Sequence, residues 1–218
     1  MDNMNNLNKE NNLIQYCIYL RPKAIDCLTD CISECLTNSN IPNRKPSLDY
    51  HVTLFSFYTD SENEKHLQEK LSNGFIPKYQ YNRDITFGAL DLFENLPSNG
   101  RDEKFGALVL RADALGLKNT HRAIVNDMMP YIVLEHGIRA DVDKSLFEAR
   151  YPYVLHNYNA HMTIAKGEFD RKLFSGIVDE LQNILDKHND VYRSDLAVSV
   201  KYPGKKWEPA NTGFEPSY

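Results

Sequence analysis

Apolar positions along the chain switch between a period of two and a period near 3.6, and the switches mark the predicted elements. Residues 1–12 are polar and Asn-rich and read as a disordered tail. From Leu13 the pattern alternates, with Ile14, Tyr16, Ile18 and Leu20 on one face of a strand. Pro22 suits an early helix position, and a helix over 23–36 sets Ile25, Leu28, Ile32 and Leu36 in one stripe. A loop rich in Asn, Pro and basic residues, Asn38 to Pro46, leads to a strand over about 50–58. A helix over 61–73 follows, with Ser61 at its N-cap and Gly74 just past its end. Ile85–Phe93 and Phe105–Leu110 read as a hairpin-like pair of strands around the turn residues Asn95–Gly100. A long helix occupies 113–133, its apolar positions including Leu117, Ile124, Val125, Met128 and Met129, and Pro130 kinks or ends it. Residues 137–157 show no period and read as a variable loop rich in Tyr and Arg. A strand over 160–166, a helix over 170–187 and a strand over 196–201 complete the pattern, before a polar tail over 203–218 that carries Trp207.

Two of these strands contain the same phrase. His51-Val52-Thr53-Leu54 and His161-Met162-Thr163-Ile164 each read His, apolar, Thr, apolar. In a strand the His and Thr share one face, while the apolar pair anchors the other. Two such matches among seven histidines arise by chance in roughly a few chains per thousand. The copies lie about half a chain apart, each in a series of strand, helix, His-Thr strand and further helix. The expectation is an α+β protein of two pseudo-symmetric lobes, with a central cleft that receives one His-Thr strand from each. The bilobal domain spans residues 13–202.

Composition narrows the function classes. Of the 218 residues, 42% are hydrophobic and 25% charged, as in ordinary globular proteins. The apolar runs fall short of the roughly 18 residues a membrane helix needs, and the N-terminal residues lack the apolar core of a secretory signal. No membrane partner and a cytoplasmic location are expected. A net charge of −5 disfavours bulk binding of long nucleic acid, yet leaves room for a small nucleotide in a locally basic pocket. Local cations occur at Arg44-Lys45, Arg150, Lys166, Lys201 and Lys205-Lys206. All four cysteines lie early, and Cys27, Cys31 and Cys35 recur once per helical turn beside the apolar stripe. Structural zinc sites favour tighter pairs from loops, so these cysteines, with Cys17, read as small buried hydrophobes.

Two imidazoles with an ordinary pKa of about 6.5 can both remove and supply a proton at neutral pH. Cleaving a phosphodiester needs both acts, one at the attacking hydroxyl or water and one at the leaving oxygen. Threonine hydroxyls can donate to the non-bridging phosphate oxygens and favour the charge-rich transition state. The expected catalytic residues are therefore His51, Thr53, His161 and Thr163, with no metal and no cofactor; which His is base and which acid stays open. The chain contains no His-Glu-x-x-His stretch and no glycine-rich phosphate loop. Tyr19 and Arg21 have the parity to face the cleft. Tyr153, Tyr158 and Lys166 flank the second motif, and Trp207 offers a face for a nucleobase. Each of these six has packing or solvation as its ordinary alternative. The remaining histidines, His66, His121, His136, His156 and His188, read as surface or packing residues.

The paired His-x-Thr-x strands resemble the signature of the two-histidine (2H) phosphoesterases, the LigT-like group of RNA-ligase and cyclic-phosphodiesterase relatives. The resemblance covers residues 13–202 and includes the strand-Pro-helix unit at Leu20-Arg21-Pro22 and the strand pair between Ile85 and Leu110. Asn159 to Ala165 is the closer copy, and Tyr50 to Leu54 is also regular. The resemblance implies the LigT-like fold and a metal-independent phosphodiesterase. The substrate partner would be a small nucleotide or a short oligonucleotide. Three expectations follow. The first is cleavage of a 2′–5′ or 3′–5′ linkage in a short or cyclic oligonucleotide, such as the immune signals that some phage and viral members degrade. The second is opening of 2′,3′-cyclic phosphates at RNA or nucleotide ends. The third is a non-catalytic nucleotide-binding module.

Overall fold

A computed structural model describes residues 12–213 apart from 40, 42–43, 48, 80–83, 97–104, 113, 135–136, 152–153, 170 and 189. The strands and α-helices among the described residues are β1 (Ile14–Pro22), α1 (Asp26–Asn38), β2 (Lys45–Pro46), β3 (Val52–Thr59), α2 (Ser61–Ser72), α3 (Phe75–Lys78), β4 (Asp84–Ile85), β5 (Phe87–Leu96), β6 (Phe105–Ala112), α4 (Ala114–Met128), α5 (Lys144–Arg150), β7 (His161–Gly167), α6 (Arg171–Lys187), β8 (Tyr192–Lys201) and β9 (Glu208–Pro209). The protein is α+β, and its strand order is β4-β8-β1-β3-β7-β6-β5 with antiparallel neighbours throughout.

Leaving the two-residue β4 aside, the order falls into two triplets. β8, β1 and β3 form one half, and β5, β6 and β7 the other. The halves meet at β3 and β7, which share a single residue pair, Val52 with Met162. β2 then takes the edge of β7 that β3 leaves, pairing Lys45 with Lys166 and Pro46 with Ala165. On β1 the even-numbered residues Ile14, Tyr16, Ile18 and Leu20 are buried, and they join Leu28, Ile32 and Leu36 of α1 in one core. Helix α4 reaches across to the other half, where buried His121 bonds the carbonyl of Leu54 on β3. The apolar stripes of the helices thus weld two strand triplets into one body, each Å² of apolar surface buried contributing about 25 cal/mol.

Several sequence expectations shift. Asp60, not Ser61, caps α2, because its carboxylate accepts from the Asn63 backbone N–H at 2.9 Å. Residues 137–157 include α5, capped by Asp143, whose carboxylate accepts from Leu146 N–H at 2.9 Å. With only Phe147 of α5 fully buried, the helix is too short and too polar to show a period. The long helix stops at Met128, and Pro130 sits in a following 3₁₀ turn, Met129–Tyr131. Beyond residue 202, β9 pairs with β8, so the sheet extends into the stretch expected as tail. Residues 1–11 lie outside the described ones. Among the cysteines only Cys35 is buried; Cys17 and Cys31 are half-buried and Cys27 is exposed. Helix α1 turns its leucine and isoleucine stripe to the sheet, which leaves the flank carrying Cys27 and Cys31 near the surface. No described helix is long and apolar enough to cross a membrane.

Candidate active site

Both His-Thr phrases contain a β-bulge at the same place. Between β1 and β3, Ile18 faces Phe55 while Tyr19 faces Thr53, so Leu54 is the extra residue. Between β6 and β7, Leu108 faces Ala165 while Val109 faces Thr163, so Ile164 is the extra residue. A bulge inserts one residue and changes which face the following side chains take. His51 and Thr53 therefore point to the cleft face, while Phe55 and Phe57 beyond the bulge are buried. The second copy repeats this with His161, Thr163 and the buried Ala165.

The Val52–Met162 pair lies between the two motifs. Extending its antiparallel register by one residue each way sets His51 opposite Thr163 and Thr53 opposite His161. The four residues form one patch on the cleft face, with the two histidines on its diagonal. Both imidazoles are held alike. His51 Nδ1–H donates to the Asp49 carbonyl at 2.9 Å, and His161 Nδ1–H donates to the Asn159 carbonyl at 2.8 Å. A ring nitrogen facing a carbonyl must be the protonated one, which leaves Nε2 of each neutral ring as the proton acceptor. Each motif thus brings its own orienting carbonyl, two residues back along the chain.

The surroundings of the two rings differ. Tyr19 packs beside His51 with ring centres 5.0 Å apart, and its hydroxyl shares a hydrogen bond of 3.0 Å with Ser199. Arg21 lies at the same rim, 3.3 Å from the Asp49 carboxylate. Asp49 also places its carboxylate 3.8 Å from His51 Nδ1. On the other side, Phe93 meets His161 edge-on at 4.7 Å, and Arg111 stacks over Phe93 at 5.1 Å. Arg111 is the register partner of His161 on β6, and its Nε bonds the Asp91 carboxylate at 2.9 Å. Burial lowers the His161 pKa first. The Asn159 carbonyl opposes that shift, and the charges of Arg111 and His51 add to it. Burial pushes the Cys17 thiol, on β1 behind this rim, up to about 11.

The six expected ligand contacts separate. Tyr19 and Arg21 stand beside His51. Lys166 is exposed on β7, beyond the bulge and paired with Ala107 on the cleft-facing parity of β6. Tyr158 is instead buried, its ring stacked on His121 at 4.0 Å and its hydroxyl donating to the Thr53 carbonyl at 3.0 Å. It buttresses the motif strand from behind and does not enter the cleft. Trp207 is exposed just before β9, on the edge of β8 away from β1. Tyr153 lies outside the described residues. Arg111, Asp91 and Phe93 are the site residues that sequence reasoning missed.

A sequence signal for Arg111 did exist. Leu20-Arg21 precedes Ala24-Ile25, and Leu110-Arg111 precedes Ala114-Leu115, at the same spacing. In the sheet, Leu20 faces Val52 as Leu110 faces Met162. Arg21 and Arg111 are thus equivalent residues of the two halves, one beside each histidine. Among the described residues no three metal-ligating side chains converge on the cleft.

No protein-family model matches the chain, and no curated protein matches it. Among solved structures, that of Usb1 from Kluyveromyces marxianus is similar at 13% identity, covering 91% of this chain and 98% of that one, with a TM-score of 0.45.

Proposed function

We propose that this protein is a metal-independent phosphodiesterase of the two-histidine kind, cutting a 2′–5′ or 3′–5′ linkage in a short or cyclic oligonucleotide. The observation that carries the reading is the matched pair of imidazoles. They sit diagonally across one residue pair, each with Nδ1 tied to a backbone carbonyl and Nε2 left for proton transfer. His161, whose burial and neighbouring Arg111 disfavour the imidazolium, is the base that takes the proton of the attacking 2′-hydroxyl or water. His51 is the acid that protonates the leaving oxygen. Thr53 and Thr163 lie on the opposite diagonal, suited to donate to the two non-bridging oxygens of a phosphate centred on the patch.

The arginines favour a short ligand over a long one. Arg21 and Arg111 flank the patch on either side, so a ligand with phosphates on both sides of the scissile one meets a cation at each end. Each arginine already faces a carboxylate, Asp49 or Asp91, which tempers the positive field to a few charges rather than a long track. Tyr19 and Phe93 supply the aromatic faces on which bases stack. A cytoplasmic location is part of the same proposal, since that is where such nucleotides are met.

The test is a substrate panel run with chelator present: cyclic dinucleotides and trinucleotides, 2′–5′ oligoadenylate, and RNA ending in a 2′,3′-cyclic phosphate. Turnover of an oligonucleotide that is lost in both His51→Ala and His161→Ala is the expected result. Full activity in either variant would overturn the two-histidine mechanism, and tight binding without turnover of any member would favour a non-catalytic module.

A further inference from the structure

Cys27 and Cys31 lie one turn apart on the same side of α1, as residues four apart on a helix do. His188 follows the last turn of α6, the helix packed against α1. The two thiols and one ring nitrogen of His188 all lie within 4.8 Å of one another, with Cys27 exposed and the other two half-buried. From these three side chains we infer a zinc site, separate from the cleft, that clamps α1 of the first half to α6 of the second.

The donor set selects the ion. Two thiolates and an imidazole suit zinc, which takes sulfur at about 2.3 Å and nitrogen at about 2.0–2.1 Å in a tetrahedron. Carboxylate-loving magnesium and calcium have no oxygen donors among the three. The spacing along α1 counts for the site once His188 is placed. Ligands on consecutive turns leave a gap between them, and the third donor from α6 closes it. The fourth position is open to water, since the flank faces solvent.

The surroundings favour a cation. Asp30 and Glu34, on the same helix as the two thiols, are exposed and add negative charge to this flank. The His188 carbonyl is fixed by the Tyr192 hydroxyl at 2.9 Å and by the Asp190 N–H at 2.7 Å, which pins the backbone that carries the ring. On metal binding the two thiols release their protons to solvent, and two sulfur–zinc bonds and one nitrogen–zinc bond form without any change in oxidation state.

The experiment uses the full chain in a non-thiol reductant, dialysed against chelator and then titrated with cobalt(II). One ion per chain is expected, with thiolate-to-cobalt charge-transfer absorption and tetrahedral ligand-field bands, both erased by an equivalent of zinc. Cys27→Ser and Cys31→Ser should each halve or abolish the charge-transfer band, and His188→Gln should weaken binding. Cys17→Ser, on β1 and outside the cluster, should leave cobalt uptake and its absorption bands unchanged. Zinc should raise the melting midpoint of the wild type and not that of Cys27→Ser, whose exposed position leaves the fold intact. No uptake of cobalt, or uptake equal in wild type and Cys27→Ser, would overturn the inference. Turnover at the cleft is not a readout, so this test stands whatever the outcome of the substrate panel.

Discussion

His121 ties three parts of the site's support together, and removing it should have a large and pH-dependent cost. The residue is 1% exposed on α4. Its Nδ1–H donates to the carbonyl of Leu54, the bulged residue behind Thr53, at 2.6 Å. Its Nε2 accepts from the Leu155 N–H at 2.8 Å. Its ring stacks on Tyr158, which holds the next carbonyl along β3. In His121→Ala both backbone groups lose their partners in the interior, at about 1–3 kcal/mol each. The lost stacking adds about 0.5–1.5 kcal/mol. A total of about 2.5–7.5 kcal/mol is expected, a large share of the roughly 5–15 kcal/mol that stabilises a typical domain. The measurement is urea unfolding followed by circular dichroism, with an unchanged slope against denaturant showing that the same surface is exposed.

The pH dependence has a definite sign. Burial lowers the His121 pKa, the bond to Leu54 works against that shift, and Arg122 adds to it. The folded state prefers the neutral ring, so the unfolded state binds more protons as pH falls. This part of the stability is fully present above the ordinary imidazole pKa of about 6.5. It is lost as pH drops from there through the lowered value of the folded state. His121→Gln keeps one donor and one acceptor but does not titrate, so the wild-type advantage over it should shrink between about pH 8 and about pH 5. A loss below about 1 kcal/mol in His121→Ala, or an advantage over His121→Gln that holds constant with pH, would refute this account.

Three further outcomes follow from the cleft. His51→Ala and His161→Ala should each lower kcat by about 10²–10⁴-fold, and the double variant should lose far less than the product, because one proton transfer is useless without the other; single-turnover kinetics would show it. Arg111→Gln removes a charge that holds the His161 pKa down, so the acidic limb of the kcat/KM profile should move to higher pH, and a limb that stays in place or moves down would contradict His161 as base. Thr163→Val should cost about 10²-fold or more in kcat, as the loss of a transition-state donor does, whereas Thr163→Ser, which keeps the hydroxyl, should retain most of the activity with KM little changed.

How much could be read from the chain alone differs by element. The His-Thr strands and the helix stripes were legible because periods of two and 3.6 are local properties. The bulges at Leu54 and Ile164 were not, since a bulge is defined by the partner strand; the adjacent apolar pairs Leu54-Phe55 and Ile164-Ala165 break the alternation there, but such a pair alone does not say which residue the partner leaves unpaired. Tyr158 illustrates the limit. It stands three residues before His161, near enough to suggest a ligand contact, yet the 3₁₀ turn Leu155–Asn157 turns it onto His121. Arg111 joins the site through the register of β6 with β7, and Asp91 and Phe93 through that of β5 with β6, and only the repeated Leu-Arg hinted at one of them. For the cysteines, the helix was correctly located, but which flank meets solvent depends on where α6 ends.

The thin joint between β3 and β7 has a mechanical meaning. Apart from the packed helices and the short β2–β7 pairing, the two strand triplets are joined in the sheet at one backbone pair, and a twist between them would move each residue in proportion to its distance from that pair. Val52 and Met162 are that pair, and the imidazoles are the next residues out. Opening or closing the halves by a given angle would therefore carry the rim, where Arg21 and Lys166 sit, through a much longer arc than His51 and His161. The reach between the proton carriers is set by the hinge pin itself, while the mouth is set by the length of the arms. Ligands of different girth can then be admitted at the mouth without retuning the chemistry at its base.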